Sequence, residues 1–316
     1  MIKEKTVFIL GAGASKPYGY PTANDLRQDI LSRKPPNFGM YVSDYFRSSF
    51  EFETLMDKYN RYIEILKDTP RGTSIDLHIS RNPSHTYIGK MILYHKILVA
   101  EIDSRLSDNV PEDEDWYSHL FEEMTRDFIG PSKINISDNK ISFITFNYDR
   151  SLENMLYTYL DKSFNDYENK DEIMSEIKAI KIYHIFGRIF GMDWENNRVK
   201  IPYKRSNLLK VNLTTFYHDI LLIHEKKKLA NIINEIKDEI LSAKRIIFLG
   251  FGYRDDNMKL LDFPNILKPG QKVYGTALNY TENEIIRIKK EYFTKNNNEP
   301  NDIKLDNLNC KQLLRE

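Results

Sequence analysis

A single cysteine, Cys310, occurs in 316 residues. That scarcity excludes an intramolecular disulfide framework and any zinc site built on several thiolates, and it fits a reducing compartment. An excess of one charge is missing as well. The 46 Lys and Arg balance 46 Asp and Glu, so no chain-wide field draws the protein to nucleic acid or to an anionic membrane surface. No apolar run approaches the roughly 18 residues that a transmembrane helix needs, and neither internal repeats nor a low-complexity tail interrupt the chain. At about 150 residues per domain the length suits two domains or one large single-core unit.

The first residues imitate a secretory signal, since Lys3 and Lys5 precede apolar Thr6–Leu10 and the small-residue run Gly11–Ser15. A cut near Ala14 would leave a leader shorter than the usual minimum of about 15 residues. The segment reads instead as a strand and its turn, and the expected location is cytoplasmic.

What is present is alternation. Short runs rich in β-branched residues, ending at Gly, Asn or Pro, read as buried parallel strands at Thr6–Leu10, Ile141–Phe146, Ile180–Phe186, Arg245–Phe251 and Lys272–Leu278. Between them lie helical stripes: Leu152, Met155, Leu156, Tyr159 and Leu160, then Leu229, Ile232, Ile233, Ile236 and Ile240. Thr281 and Glu284 form a capping-box pattern opening a further helix. Strands alternating with helices predict an α/β fold, a Rossmann-like parallel sheet flanked by helices. The interval 35–131 departs from that rhythm with helical signals such as Leu55, Met56, Tyr59, Tyr62, Ile63 and Leu66. It is expected to be a mostly helical insertion in one domain spanning 1–316. Pro35-Pro36 and the acidic Glu112–Asp115 segment are its expected edges, and Gly130-Pro131 the return to the sheet. Lys226–Lys228 reads as a solvated helix face, so direct nucleic-acid binding is not expected.

The glycines after the first strand, in Gly11-Ala12-Gly13-Ala14-Ser15, let a backbone turn tightly and approach a pyrophosphate. The dehydrogenase fingerprint breaks at Lys16, where its third glycine would stand, and no ribose-binding acid follows at about 20 residues. Ser15, Gly19 and Pro21 extend the loop in a way that resembles the first motif of the sirtuins. The resemblance continues at Thr145-Phe146-Asn147-Tyr148-Asp149, at His184-Ile185-Phe186-Gly187, at Gly250-Phe251-Gly252-Tyr253-Arg254-Asp255-Asp256-Asn257 and at Leu278-Asn279. Each motif ends an expected strand and the order is that of the family. Two departures stand out: Thr22-Ala23-Asn24 replaces the sirtuin Asp-Phe-Arg, and the Cys-x-x-Cys zinc ribbon is absent. Both argue against protein deacylation, and what remains resembles the sirtuin-like domains of bacterial antiphage defence systems, which degrade NAD.

That resemblance implies NAD as substrate, no metal, and cleavage of the nicotinamide–ribose bond to nicotinamide and ADP-ribose. Asn147 would orient water and ribose, since an amide offers donors and an acceptor together. Asp149 would contact the nicotinamide side or cap the following helix. His184 would act as general base. It stands two residues before Phe186, which holds the slot of the family histidine, and residues two apart on a strand share a face; the other reading is a structural histidine at the sheet edge. Gly11, Ala12, Gly13, Ser15, Pro21 and Thr22 would hold the phosphate side, with Thr22 also a candidate N-cap. Gly250 and Gly252 would admit the adenosine half, Asp255 and Asn257 would bind ribose hydroxyls or cap a helix, and Asn279 would lie near the adenine ribose. Such an effector must be silent in healthy cells, which implies control by self-assembly into a homo-oligomer or by a companion defence protein, an ATPase or sensor. Phe186 and the missing Asp-Phe-Arg support an alternative, a non-catalytic module that senses NAD or ADP-ribose for a partner. ADP-ribosyl transfer to a macromolecule is a third option.

Overall fold

A computed structural model of the chain describes residues 1–32, 49–106, 110–128, 135–164, 170–192, 194–195, 202–204, 216–294 and 302–316. In chain order the elements are β1 (Thr6–Leu10), α1 (Ala12–Ser15), α2 (Ala23–Leu31), α3 (Ser49–Asp68), α4 (Ile75–Arg81), α5 (Thr86–Ile102) and α6 (Trp116–Thr125). They continue with β2 (Ile141–Thr145), α7 (Ser151–Ser163), α8 (Lys170–Ala179), β3 (Lys181–His184), α9 (Lys226–Ser242) and β4 (Arg245–Leu249). The last are α10 (Asp255–Leu260), β5 (Lys272–Thr276), α11 (Glu282–Tyr292), β6 (Asp302–Asp306) and α12 (Cys310–Leu314).

The six strands form one parallel sheet in the order β3-β2-β1-β4-β5-β6. This is the doubly wound Rossmann-like order, whose direction reverses between β1 and β4. Burial follows position. Every residue of β1 and β2 is buried, as strands covered on both faces must be, while β3 and β6 at the edges are partly exposed. The β3 and β4 runs stop earlier than their apolar sequence suggests. Gly250 and Gly187 take positive φ, and the chain turns away from the ladder. β6 was not among the expected strands, because Ile303 and Leu305 alternate with charged residues on an edge and present only a short apolar signal.

The interval between β1 and β2 is helical where described, as its periodicity predicts. α5 is apolar nearly all round and correspondingly buried. The Glu112–Asp115 segment lies between α5 and α6. Trp116 Nε1 donates to Ala14 O at 2.8 Å, so α6 is anchored on the turn after β1. Pro35-Pro36, Gly130-Pro131 and the side chains of Lys226–Lys228 lie outside the described residues. Among those described, no helix is long and apolar enough to cross a membrane.

One ion pair ties the insertion to the sheet. Arg150, just after β2, meets Glu101 of α5 in a two-pronged bond at 2.7 and 2.8 Å, both side chains about 1% exposed. Arg150 also donates to Gly191 O and lies over the rings of Phe190 and Tyr203. Removing one partner strands the other charge out of water. Glu101→Gln is therefore expected to lower unfolding free energy by about 3–5 kcal/mol in chemical denaturation, while Lys259→Ala at the exposed Asp255 pair leaves the midpoint unchanged.

Candidate functional site

The carboxyl ends of the strands open on a cleft of about 730 Å³, at the rim and the switch point where doubly wound sheets bind ligands. A second cavity of similar volume lies toward the amino ends of β1, β4 and β5, walled by Thr6, Arg245 and Lys272, where that rule places no ligand.

The cleft floor is two turns pressed together. Gly11 N donates to Leu249 O at 3.0 Å and Gly13 N to Gly250 O at 2.9 Å. A Cβ on Gly11 or Gly13 would fall 2.6 or 2.8 Å from Gly250 O, and one on Gly250, whose φ is +56°, would fall 1.9 Å from Ala14 N. These glycines are first a packing requirement, and the bonds use two of the amides of the loop expected to approach a pyrophosphate. Gly252 differs, because a Cβ there meets nothing within 4 Å.

Asn147 sits over this floor, 7% exposed. Its Nδ2 donates to Gly11 O and to Ser15 Oγ, both at 3.0 Å. Gly11 O only accepts, which fixes the amide orientation and leaves Oδ1 buried with no partner among the described residues. Asp149 Oδ1 accepts from Ser151 N at 3.0 Å and from Ser151 Oγ at 2.5 Å, so it braces the start of α7 while lining the cleft. Burial raises its carboxyl above the usual aspartate value, and the Ser151 bonds offset part of the rise.

His184 stands one layer back and does not line the cleft. Its Nε2 lies 2.8 Å from Glu153 Oε1 and its Nδ1 3.2 Å from Asn147 O. Carbonyl and carboxylate are both acceptors, so a ring N–H is directed at groups behind the cleft wall. The shared-face expectation for 184 and 186 fails because β3 ends at His184 and the chain turns at Gly187, φ +73°. Phe186 takes the cleft wall instead, packed on Phe146 with ring centroids 5.7 Å apart. Burial would raise the Glu153 carboxyl, yet the charges of His184 and Arg188 reverse this and hold it well below the glutamate range. Arg188 bridges Glu153 and Glu195.

Of the other expected residues, Gly11, Ala12, Gly13, Pro21, Thr22, Gly250, Gly252, Asn257 and Asn279 line the cleft. Ser15 lies beneath it, holding Asn147. Asp255 lies outside, bonded to Lys259 and Tyr292, and Asp256 and Arg254 face the cleft in its place. The Thr22 hydroxyl serves a capping box with Asp25 at the start of α2. Asn279 takes φ +67° and donates its N–H to Asn307 Oδ1. Lining residues missing from the sequence reading include Lys16, Tyr20, Asp76, Tyr148, Tyr280 and Cys310. Tyr148 lies inside a quoted motif, whereas Asp76 comes from the insertion, where no motif pointed to it. Burial pushes the Cys310 thiol up to about 12, so it remains protonated. Among the described residues no group of three or more His, Cys, Asp or Glu is arranged to hold a metal ion.

Residues 141–263 match the SIR2-like domain. The match runs from β2 to just past α10 and holds Asn147, Asp149, His184, Gly250 and Gly252, supporting a sirtuin-like domain with an NAD-related role. No curated protein matches the chain. The glycine turn after β1 and the insertion lie outside the match, and the fold brings both to the same cleft.

Two expectations follow for this site. Gly250→Ala should lose more than the roughly 1–2 kcal/mol of a left-handed residue in a denaturation curve, since it also clashes with Ala14, whereas Gly252→Ala should leave the midpoint in place. The second concerns pH. Because the Glu153 carboxyl is held low, its stabilisation is present above its ordinary value of 4.5 and is lost as pH falls below it. Glu153→Gln should accordingly be less stable at pH 7 and show a flatter decline between pH 5 and 3 in thermal melts at stepped pH.

Proposed function

We propose that the chain hydrolyses NAD at the nicotinamide–ribose bond, releasing nicotinamide and ADP-ribose. The observation that carries this reading is the unpaired, buried Asn147 Oδ1 at the meeting point of the strand ends. An amide whose donors are already spent is a fixed acceptor for a ribose hydroxyl or a water, set in place before the ligand arrives. The dinucleotide would lie along the rim, its diphosphate between the cations Lys16 and Arg254 and its adenosine toward Gly252, Asn279 and Tyr280, all of which line the cleft. The nicotinamide ribose would then face Asn147 and Asp149.

The reaction asks little beyond that. The C1′–N bond breaks with its electron pair going to the ring nitrogen, which neutralises the nicotinamide, and positive charge grows at C1′. The Asp149 carboxylate in a low-dielectric wall stabilises that charge. His184, behind the cleft wall and against the Asn147 carbonyl, serves as a positioning residue. In the cell this activity would make the chain a toxic effector of bacterial antiphage defence through NAD depletion, kept silent by self-assembly or by a companion ATPase or sensor. A second reading is favoured by Phe186 at the cleft wall: a non-catalytic module that binds NAD or ADP-ribose and switches a partner.

Incubating the purified chain with NAD and resolving products by chromatography separates the two. Hydrolysis gives equal nicotinamide and ADP-ribose, and Asn147→Ala lowers the rate by about 100-fold or more. Saturable binding with NAD left intact, in the chain alone and in the assembled or partnered form, would favour the sensor.

A further inference from the structure

The hydrolysis reading leaves one proton without an acceptor. A water attacking C1′ must give one up, and His184, the expected base, does not line the cleft and faces Glu153 instead. Asp149 is assigned to the charge growing at C1′, and its Oδ1 accepts both Ser151 bonds. The insertion brings a second carboxylate to the same end of the cleft. Asp76 lies in the first turn of α4, a helix capped by Ser74, and lines the cleft together with Asn147, Tyr148, Asp149 and Phe186. Its Oδ1 accepts from the Tyr148 hydroxyl at 2.5 Å, and the Tyr148 ring lies against Phe186, centroids 6.5 Å apart. The carboxylate is thus fastened beside the side chain that occupies the slot of the family histidine.

Resting on the hydrolase reading, we infer that Asp76 is the general base of the reaction, supplied by the insertion in place of the histidine that Phe186 displaces. The water oxygen forms its bond to C1′, the C1′–N pair leaves with nicotinamide, and the water proton passes to the Asp76 carboxylate and from there to solvent. No further reactant is needed. A carboxylate does this best when its affinity for protons is increased. Burial raises Asp76 above the usual aspartate value of 3.8, with the Tyr148 bond and the Arg254 charge opposing. The groups around it are Tyr148 after β2, Arg254 after β4 and Tyr62 of α3, with Glu225 acting on Tyr148.

The test uses the full chain, in whichever assembled or partnered form turns over NAD. Asp76→Asn should lower kcat by about 10²–10⁴-fold while NAD still raises the melting midpoint, and Asp76→Glu should recover part of the rate. Tyr148→Phe removes a bond that favours the charged carboxylate, so the acid limb of kcat against pH should move to higher pH. A structural role for Asp76 would not move that limb. If wild type hydrolyses NAD and Asp76→Asn stays within about twofold of it, the inference is overturned and the hydrolase reading stands. Loss of the NAD-dependent midpoint shift in Asp76→Asn would overturn it too, by making Asp76 a binding or folding residue. If wild type binds NAD without cleaving it, the hydrolase reading itself falls and takes this assignment with it.

Discussion

The bond from Gly13 N to Gly250 O, and the absence of any Cβ at the three glycines around it, is the constraint on which the site depends. β1 and β4 are neighbours in the sheet but far apart in the chain, and they flank the point where strand order reverses. A crevice opens there only if the two turns fold back at the same height without side chains to hold them apart. Asn147 then drops onto Gly11 O and Ser15 Oγ, and Gly250 N is held by Thr276 Oγ1. The turns after β2 and β5 are thus fastened to the same two glycine turns. Those two backbone donors are used for this packing, and the cations on the rim are the side chains of Lys16 and Arg254.

The insertion is part of this construction. Glu101 neutralises Arg150 at the root of the Asn147–Asp149 turn, and Trp116 holds the carbonyl of Ala14. Leu93 and Ile97 of α5 add apolar wall to the cleft. A segment outside the SIR2-like match therefore helps to shape the cleft. α5 also carries buried Lys90 and Lys96, each paired with a carboxylate from another part of the chain, Glu225 and Asp29. Those pairs resist sliding of the helix, since any shift leaves a charge out of water and unpaired.

Much of this was legible in the residues. The central strands are short, unbroken apolar runs rich in β-branched residues because both faces are covered, and β1, β2 and β4 appear where those runs lie. The motifs at strand ends point to one cleft because a parallel sheet puts all its carboxyl ends on one rim. What could not be read was of three kinds. β6 is an edge strand whose two inward residues alternate with charges, which a short loop also shows. Asp76 belongs to a helix whose placement depends on tertiary packing, so no local spacing marks it. The roles of His184 and Asp255 turned on where β3 ends and how α10 is rotated, and a residue or two at an element's end decides which side of a wall a side chain occupies.

That last point bears on chemistry. With His184 behind the wall, the charges there close among themselves: Glu153 faces His184 and Arg188, and Arg188 reaches Glu195. The groups of this cluster face one another, while the cleft at this end is lined by the carboxylates Asp76 and Asp149, with Arg254 also on its wall. On the hydrolase reading such a pocket would attract a cationic ring and release it once neutral. On the hydrolase reading this sets the order of events, since the nicotinamide is held while it carries charge and loses that attraction when its bond to C1′ breaks. The growing charge at C1′ remains between the carboxylates for water to meet. A histidine at position 186, if protonated, would work against the entry of the cationic ring, whereas phenylalanine there leaves the field to the acids.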